Sequence, residues 1–302
     1  MQFIGVLFLV LLSVLTSNSQ PTAISPQKIK LLSWNIYMLP GIVGKTSMKL
    51  ERAEIIGQLL SQSDYDVIVF QEAFCPQARK KIKRQLQANF PFIAGPANQK
   101  TFSLKVNSGL WIFSKHPIES SKSIVYSNRA GIDGLSRKGA LLVELNVNGQ
   151  LIQVAGTHLQ NSGNLNLKQL QCQEFADKLL LPNLKNGVPQ ILCGDFNINK
   201  ENDEGYKFML STLEASDGNL SGDIQHSYNR EMNDLHVESG EKKELIDYVL
   251  IRNNNSWVSC NSREIKPIRK RWHSKHEDLS DHFSLEAEIL FSNTATIAAS
   301  VK

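Results

Sequence analysis

Gln190-Ile191-Leu192-Cys193-Gly194-Asp195-Phe196-Asn197 is an apolar run that stops on an aspartate and an asparagine. From Gln190 to Phe196 it reads as a short strand buried on both faces. Four other segments share the plan. Lys28 to Ile36 reads as a strand carrying Ser33-Trp34-Asn35, and Asp66 to Gln71 as one running into Phe70-Gln71-Glu72. Leu151 to Thr157 runs into Gly156-Thr157-His158, and Ser280-Asp281-His282 opens a strand from Phe283 to Leu290. One buried strand that ends on a carboxylate means little. Several such ends, bearing Asn, Glu, His, Asp, Asn, Asp and His, imply convergence at one rim of a sheet, where α/β folds bind ligands.

The elements between these strands set the fold class. Met48 to Gln62 carries Leu50, Ala53, Ile56 and Leu60 at helical spacing. Pro76 to Asn89 reads as a basic helix with proline tolerated in its first turn. Further helices are expected over Leu165 to Leu181 and near Tyr206 to Glu214. Leu110 to Ser114, Ser123 to Tyr126, Ala140 to Val147, Leu245 to Ile251 and Trp257 to Ile265 read as strands. Asn148-Gly149 is a hairpin turn signal, since both residues tolerate positive φ. Early strand–helix alternation followed by many strands predicts a layered α/β domain with a large mixed sheet. No linker divides it.

The chain has 302 residues, 41% hydrophobic and 21% charged, as expected of a folded soluble protein. A net charge of +4 favours approach to phosphate-bearing surfaces without choosing between them. Phe3 to Leu15 is an apolar run too short to span a bilayer, followed by small polar residues. No Lys or Arg precedes it, yet residues 1–19 read as a signal peptide cut near Ser19, so the mature chain is expected to be secreted or periplasmic. Residues 27–292 then form one catalytic domain, and 293–302 a flexible tail. The four cysteines, Cys75, Cys172, Cys193 and Cys260, leave pairing open. Cys193 reads as a free core thiol, and no pair has zinc or redox spacing.

The converging residue types fit hydrolysis of a phosphate ester. A hard divalent cation such as Mg²⁺, or Mn²⁺ or Co²⁺, needs only one or two carboxylates and keeps its waters. It neutralises charge on phosphoryl oxygens. A histidine near neutral pKa can take a proton from attacking water, with a carboxylate behind it fixing the tautomer. There is no Gly-x-Ser-x-Gly elbow, so water attack is the simpler proposal.

Trp34-Asn35, Gln71-Glu72, Cys193 to Asn197, Ile246-Asp247-Tyr248 and Ser280-Asp281-His282 together resemble the endonuclease/exonuclease/phosphatase (DNase I-like) superfamily. The resemblance runs from about Lys28 to Leu290. It implies a two-layer β-sandwich flanked by helices, a four-layer arrangement. It also implies roles. Asn35 and Glu72 bind the metal, with Asp281 a further contact. Asp195 and Asn197 position nucleophile and phosphate. His282 is the base and Asp247 its orienting partner. His158 stabilises the phosphoryl oxygens or assists the leaving group.

Four stretches look more narrowly like secreted bacterial-type neutral sphingomyelinases: Asn35 to Pro40, Ser108 to Ile118, Asp133 to Gly139 and Gly156 to Gln160. That likeness implies cleavage of sphingomyelin, or a related choline phospholipid, at a membrane surface. It gives Lys138 a contact with the phosphate or the metal-bound oxygen, and Asp133 the task of holding Lys138 in place or releasing it. Such enzymes often carry an aromatic-tipped hairpin before the last Ser-Asp-His. Here Ile268-Arg269-Lys270-Arg271-Trp272-His273-Ser274-Lys275-His276 takes its place. Trp272 is expected at the membrane interface, with the basic residues near lipid phosphates. A secreted nuclease acting on nucleic acid is the alternative, favoured by the basic charge. A phosphoinositide phosphatase ranks lower, because no Trp-Cys-Asp-Arg segment occurs, and a non-catalytic lipid-binding module would require a dead centre.

Overall fold

The computed structural model describes residues 26–40, 46–99, 106–131, 136–161, 163–236, 240–252 and 257–292. The expected signal segment 1–19, the tail 293–302 and Asp133 lie outside the described residues.

Two six-stranded mixed sheets carry the fold. The first has the order β13 (Trp257–Lys266), β14 (Ser284–Ser292), β1 (Gln27–Met38), β2 (Val67–Ala73), β4 (Trp111–Ser114), β3 (Phe92–Ala94). The second has the order β5 (Ile118–Val125), β6 (Gly139–Val147), β7 (Gln150–His158), β8 (Gln190–Asp195), β12 (Asp247–Arg252), β9 (Ala215–Asp217). Each contains one parallel pair, β1 with β2 and β7 with β8. A small hairpin, β10 (Tyr228–Asn229) with β11 (Lys243–Glu244), stands beside them.

Alternation along β1 explains the layering. Ile29 and Leu31 belong to the core that includes Val143, Val154 and Leu192 of the second sheet. Leu32, Trp34 and Ile36 point the other way and pack with Ala53, Ile56 and Leu60 of α1 (Thr46–Ser61) and Ala78, Ile82 and Leu86 of α2 (Pro76–Leu86). Both faces of β1 are therefore buried, which is why it reads as a nearly continuous apolar run. Phe175 of α3 (Leu165–Phe175) and Met209 of α4 (Asp203–Thr212) join the inter-sheet cluster from the side of the second sheet. The result is the expected helix-flanked β-sandwich. Each buried Leu, Ile or Phe contributes on the order of 1.5–3 kcal/mol, so the shared core between the sheets dominates stability.

Local signals are obeyed with small shifts. Asn148 and Gly149 take φ of 51° and 87° and close the β6–β7 hairpin, with Val147 opposite Gln150. α4 starts earlier than its apolar spacing suggests because Asn202 caps it, its Oδ1 accepting from the Gly205 amide at 3.1 Å. α3 runs on through a wider π turn, Ala176–Leu180, as far as Leu181. β5 begins at Ile118 rather than Ser123, and β3, β9, β10 and β11 are too short to carry a readable alternation. All four cysteines are unpaired, and Cys193 is buried in the core with its thiol pushed up to about 12 by burial.

Candidate active site

The strand ends that deliver the polar side chains lie on hydrogen-bonded neighbours. Asn35 pairs with Gln71 across β1–β2, which places Glu72 one residue further along the same rim. His158 pairs with Asp195 across β7–β8, and Asp195 with Asp247 across β8–β12. Gly194 makes this register possible. Its φ is +135°, and a Cβ there would lie 2.0 Å from the Thr157 carbonyl oxygen, so any side chain would push β8 away from β7. Glu72 and Asn197 also adopt positive φ, 54° and 51°, uncommon for residues with side chains and concentrated here at strand ends.

The side chains meet across the two sheets. Asn35 Nδ2 of the first sheet donates to Asp195 Oδ2 of the second at 3.1 Å. His282 Nδ1 lies 2.8 Å from Asp247 Oδ2, and its Nε2 lies 3.8 Å from Asp195 Oδ2. Trp34 Nε1 donates to the His282 carbonyl at 2.9 Å, holding that segment over β1. The Asn197 amide donates to Asp195 Oδ1 at 2.9 Å, and its side chain donates to the Leu159 carbonyl at 3.1 Å. Asn197 thus shapes the turn after β8, with its amide nitrogen already engaged.

Burial alone would lower the His282 pKa, but Asp247, by charge and hydrogen bond, and then Asp195 and Asp281 raise it well above the ordinary histidine value. His158 goes the other way. Burial, reinforced by the positive charges of Lys138 and His282, holds it well below the ordinary value. Its 3.4 Å approach to Asp195 is therefore contact with a neutral ring rather than an ion pair. Lys138 Nζ lies 3.0 Å from His158 Nε2 and donates to the Leu159 carbonyl at 3.1 Å. An ammonium has only donors, so Nε2 accepts and the imidazole proton belongs on Nδ1. Lys138 itself is buried beside Asp195 and Glu72, whose carboxylates it stabilises.

Glu72 is the uncompensated member. Burial first, then the negative charges of Asp281 and Asp195, raise its carboxyl to about 7 against the opposing pull of Lys138 and His282. Asp195 is raised to about 6, by burial and then by Asp247. Glu72 Oε2 is buried and has no hydrogen-bond partner, while Oε1 stands 4.0 Å from His158 Nε2. Buried anionic oxygens without partners are what a hard divalent cation would neutralise, so Glu72, with Asp281 and the Asn35 amide oxygen, fits a cation. Among the described residues, Asp195, Asp247 and His282 also place one donor atom each within 4.8 Å of one another. The His282–Asp247 contact engages Nδ1 and Oδ2, which leaves His282 Nε2 and the buried Asp247 Oδ1 without such a contact.

Asp281 lies at the edge of the cluster, close enough for its charge to act on Glu72 and His282, and Trp272 lies outside it. Asp281 is partly exposed and accepts from Ser280 Oγ at 3.3 Å, at the mouth of the pocket. Trp272 is not presented at a loop tip. Its Nε1 donates to the Asp278 carbonyl at 2.8 Å, its ring stacks on His276 at 5.5 Å, and it packs with the α1–α2 cluster. The indole is turned back because an N–H and a large apolar face both find partners on the protein itself.

Several residues of the site have no sequence signature. Arg52 of α1 is buried and donates to the Ile36, Tyr37 and Leu279 carbonyls at 3.2, 2.7 and 2.7 Å. It joins the ends that carry Asn35 and His282. Tyr228 of β10 packs edge-on to the His282 ring at 5.3 Å, and His236 Nε2 lies 3.1 Å from the Asp281 carbonyl oxygen.

Fold and site define a phosphoric diester hydrolase. The chain belongs to the endonuclease/exonuclease/phosphatase family, whose sequence profile matches residues 32–282. Among its relatives, sphingomyelinase C 2 of Leptospira interrogans is 28% identical over 89% of this chain, which spans 47% of that longer protein. A phospholipase C of Staphylococcus aureus is 26% identical over 92% of this chain and 93% of its own length. A crystal structure of Staphylococcus aureus beta toxin with bound magnesium ions superposes with a TM-score of 0.76 at 24% identity, covering 86% of this chain and 99% of that one. That last likeness establishes the shared fold.

Proposed function

We propose that this chain hydrolyses sphingomyelin to ceramide and phosphocholine, with Mg²⁺ as the natural cation. The observation that carries the reading is the buried His282–Asp247 pair facing Asp195, Asn35, Lys138 and His158 in one pocket. The sphingomyelinase and phospholipase C relatives supply the substrate class. Magnesium in the beta toxin structure supports the choice of cation.

Glu72, Asn35 and Asp281 would hold the cation, which supplies neutralising charge for the phosphoryl oxygens when bound. In the cation-free protein the surrounding carboxylates favour the protonated His282 ring; in its neutral form Asp247 holds the one proton on Nδ1, and Nε2 is the atom that takes a proton from the attacking water. Asp195, 3.8 Å from that Nε2, orients the water and disfavours its escape. The water oxygen forms the new bond to phosphorus, and the bond to the ceramide oxygen breaks. Lys138, set in place by His158, stands by the phosphate to offset the charge that develops there. Asp133, outside the described residues, retains its expected task of holding Lys138. We further propose that residues 1–19 direct secretion and that the mature enzyme works as a peripheral protein on the membrane surface.

The test offers purified protein with Mg²⁺ to sphingomyelin vesicles and to plasmid DNA in parallel. Phosphocholine release without nicking is the expected result. Nicking without phosphocholine release would replace this reading with the nuclease one.

A further inference from the structure

The basic helix α2 has a use that the catalytic pocket does not absorb. A cavity of about 430 Å³ lies between α1 and α2, with Lys80, Lys81, Lys83 and Arg84 in its lining beside Leu50. Four of its seven lining residues are cationic. The carboxylate of Glu54 is the acid behind them, and it is taken by Lys81 at 2.9 Å and Arg84 at 2.8 Å. Lys80 and Lys83 are exposed, one helical turn apart, and form no ion pair among the described residues. Like charges at that spacing repel, so the face is electrostatically unfinished in the protein alone.

The trench continues past Leu50 and Lys81 into a second hollow, where Ile55 and the half-buried Trp272 form an apolar wall beside the acidic Glu51 and Glu54, so the cationic stretch is confined to the α2 side. Its position relative to the active site follows from the chain. The Phe74 and Cys75 amides just before α2 donate to the Met38 carbonyl at the end of β1, so the first turn of α2 sits on the rim that carries Asn35 and Glu72. Trp272 is tied to Asp278, four residues before His282. Lys80, in the second turn of α2, and Trp272 therefore lie toward the pocket's end of the molecule, while Lys83 and Arg84 extend the cationic stretch away from it along the helix.

Resting on the sphingomyelinase reading, we propose that this trench is a docking surface for anionic phospholipid headgroups neighbouring the substrate in the membrane. Lys80, Lys83 and Arg84 would meet the headgroup phosphates and carboxylates, while Leu50 and Ile55 lie against the apolar boundary. Charge complementarity picks an anionic partner. A lipid suits it better than a nucleic acid because the trench sets its cations beside aliphatic side chains, Leu50 and Ile55, which a polyphosphate backbone does not use.

The experiment compares full-length protein with the Lys80→Gln/Lys83→Gln variant in vesicle co-sedimentation. Vesicles are phosphatidylcholine–sphingomyelin, with or without phosphatidylserine. Lys122→Gln, on an exposed position of β5 in the other sheet, controls for charge alone. At about 1 kcal/mol per lysine near an anionic surface, the double variant should bind phosphatidylserine vesicles about 30-fold more weakly. Lys122→Gln should bind like the unaltered protein, and hydrolysis of the water-soluble bis(p-nitrophenyl) phosphate should be unchanged in both. Undiminished binding by the double variant overturns the docking surface, as does an equal loss in Lys122→Gln. Selective loss of duplex DNA binding in the double variant, with vesicle binding intact, reassigns the trench to nucleic acid. Vesicle binding is read without turnover. Failure to release phosphocholine therefore sinks the substrate assignment separately.

Discussion

His282 Nδ1 and Asp247 Oδ2 are 2.8 Å apart, in a pocket where both residues are buried. The contact joins the segment before β14 of one sheet to the first residue of β12 in the other, so the His282 ring is oriented by the packing of the sandwich itself. Replacing Asp247 by Asn keeps the shape but removes the charge that favours the Nδ1 proton. Asp247→Asn should lower kcat by about 10²–10⁴-fold with little change in KM, and His282→Ala should do at least as much. Steady-state kinetics with a thermal melt checks both. An active His282→Ala protein would remove this residue from the base role.

Glu72 gives a prediction of opposite sign for stability and for cation binding. Its carboxyl is raised to about 7 by burial and by Asp281 and Asp195, so the folded protein favours the protonated form. Without a cation, the ionised carboxylate therefore costs stability as pH rises from its unfolded value through about 7. Glu72→Gln should melt at a higher temperature than the unaltered protein at pH 8 in EDTA. It should also lose most of the upward shift that Mg²⁺ gives the unaltered protein. Equal Mg²⁺ shifts in the two proteins would show that Glu72 does not hold the ion.

How much of this is visible in the bare sequence depends on the kind of contact. Asn35, Glu72, His158 and Asp195 are legible because each follows a run of residues that must be buried, and a polar group at such an end has few other reasons to be there. Asp247 comes from the family resemblance alone; the structure supplies its physical reason, since β12 runs antiparallel to β8 and begins where β8 ends. Arg52 escapes because its partners are three backbone carbonyls, which carry no residue signature. Trp272 misleads for a related reason. A tryptophan among cations reads as a membrane anchor, yet the helices beside it offer an apolar face and Asp278 a carbonyl. The small strands β3 and β9 are edge pieces of three residues, with too few side chains to show alternation.

Glu174 sets a pH limit on the fold away from the active site. It lies on α3, and its carboxylate accepts from the Ser127 and Asn128 amides at 2.8 and 2.9 Å and from Lys178 at 2.7 Å. Burial alone would raise its pKa, but these donors bring it down to about 2. A depressed carboxyl adds stability that is complete above the unfolded value near 4.5 and is lost as pH falls toward 2. Glu174→Gln should cost on the order of 2 kcal/mol in urea unfolding at pH 7, with the gap to the unaltered protein narrowing by pH 3. A gap independent of pH would mean that the loss comes from packing rather than from charge.

Arg52 tests whether two neighbouring ends of the first sheet, that of β1 and the one leading into β14, are held by one side chain. Its guanidinium is buried, with burial bringing its pKa down to about 10, and it bridges Ile36 and Tyr37 after Asn35 to Leu279 before His282. Ser280 Oγ reinforces the bridge by donating to the Asn35 carbonyl at 2.6 Å. Truncation to Met leaves three buried carbonyls short of a donor, at a cost of about 3 kcal/mol. Lysine keeps the charge but offers a single point of attachment instead of a planar fork. Arg52→Lys should therefore regain part of the stability lost in Arg52→Met, while its kcat stays well below normal because one ammonium nitrogen cannot reach all three carbonyls in the same geometry. Urea unfolding and turnover on one substrate, measured for both variants, separate the two effects. If Arg52→Lys has full kcat, the fork is dispensable and Ser280 with Trp34 suffices to position the base.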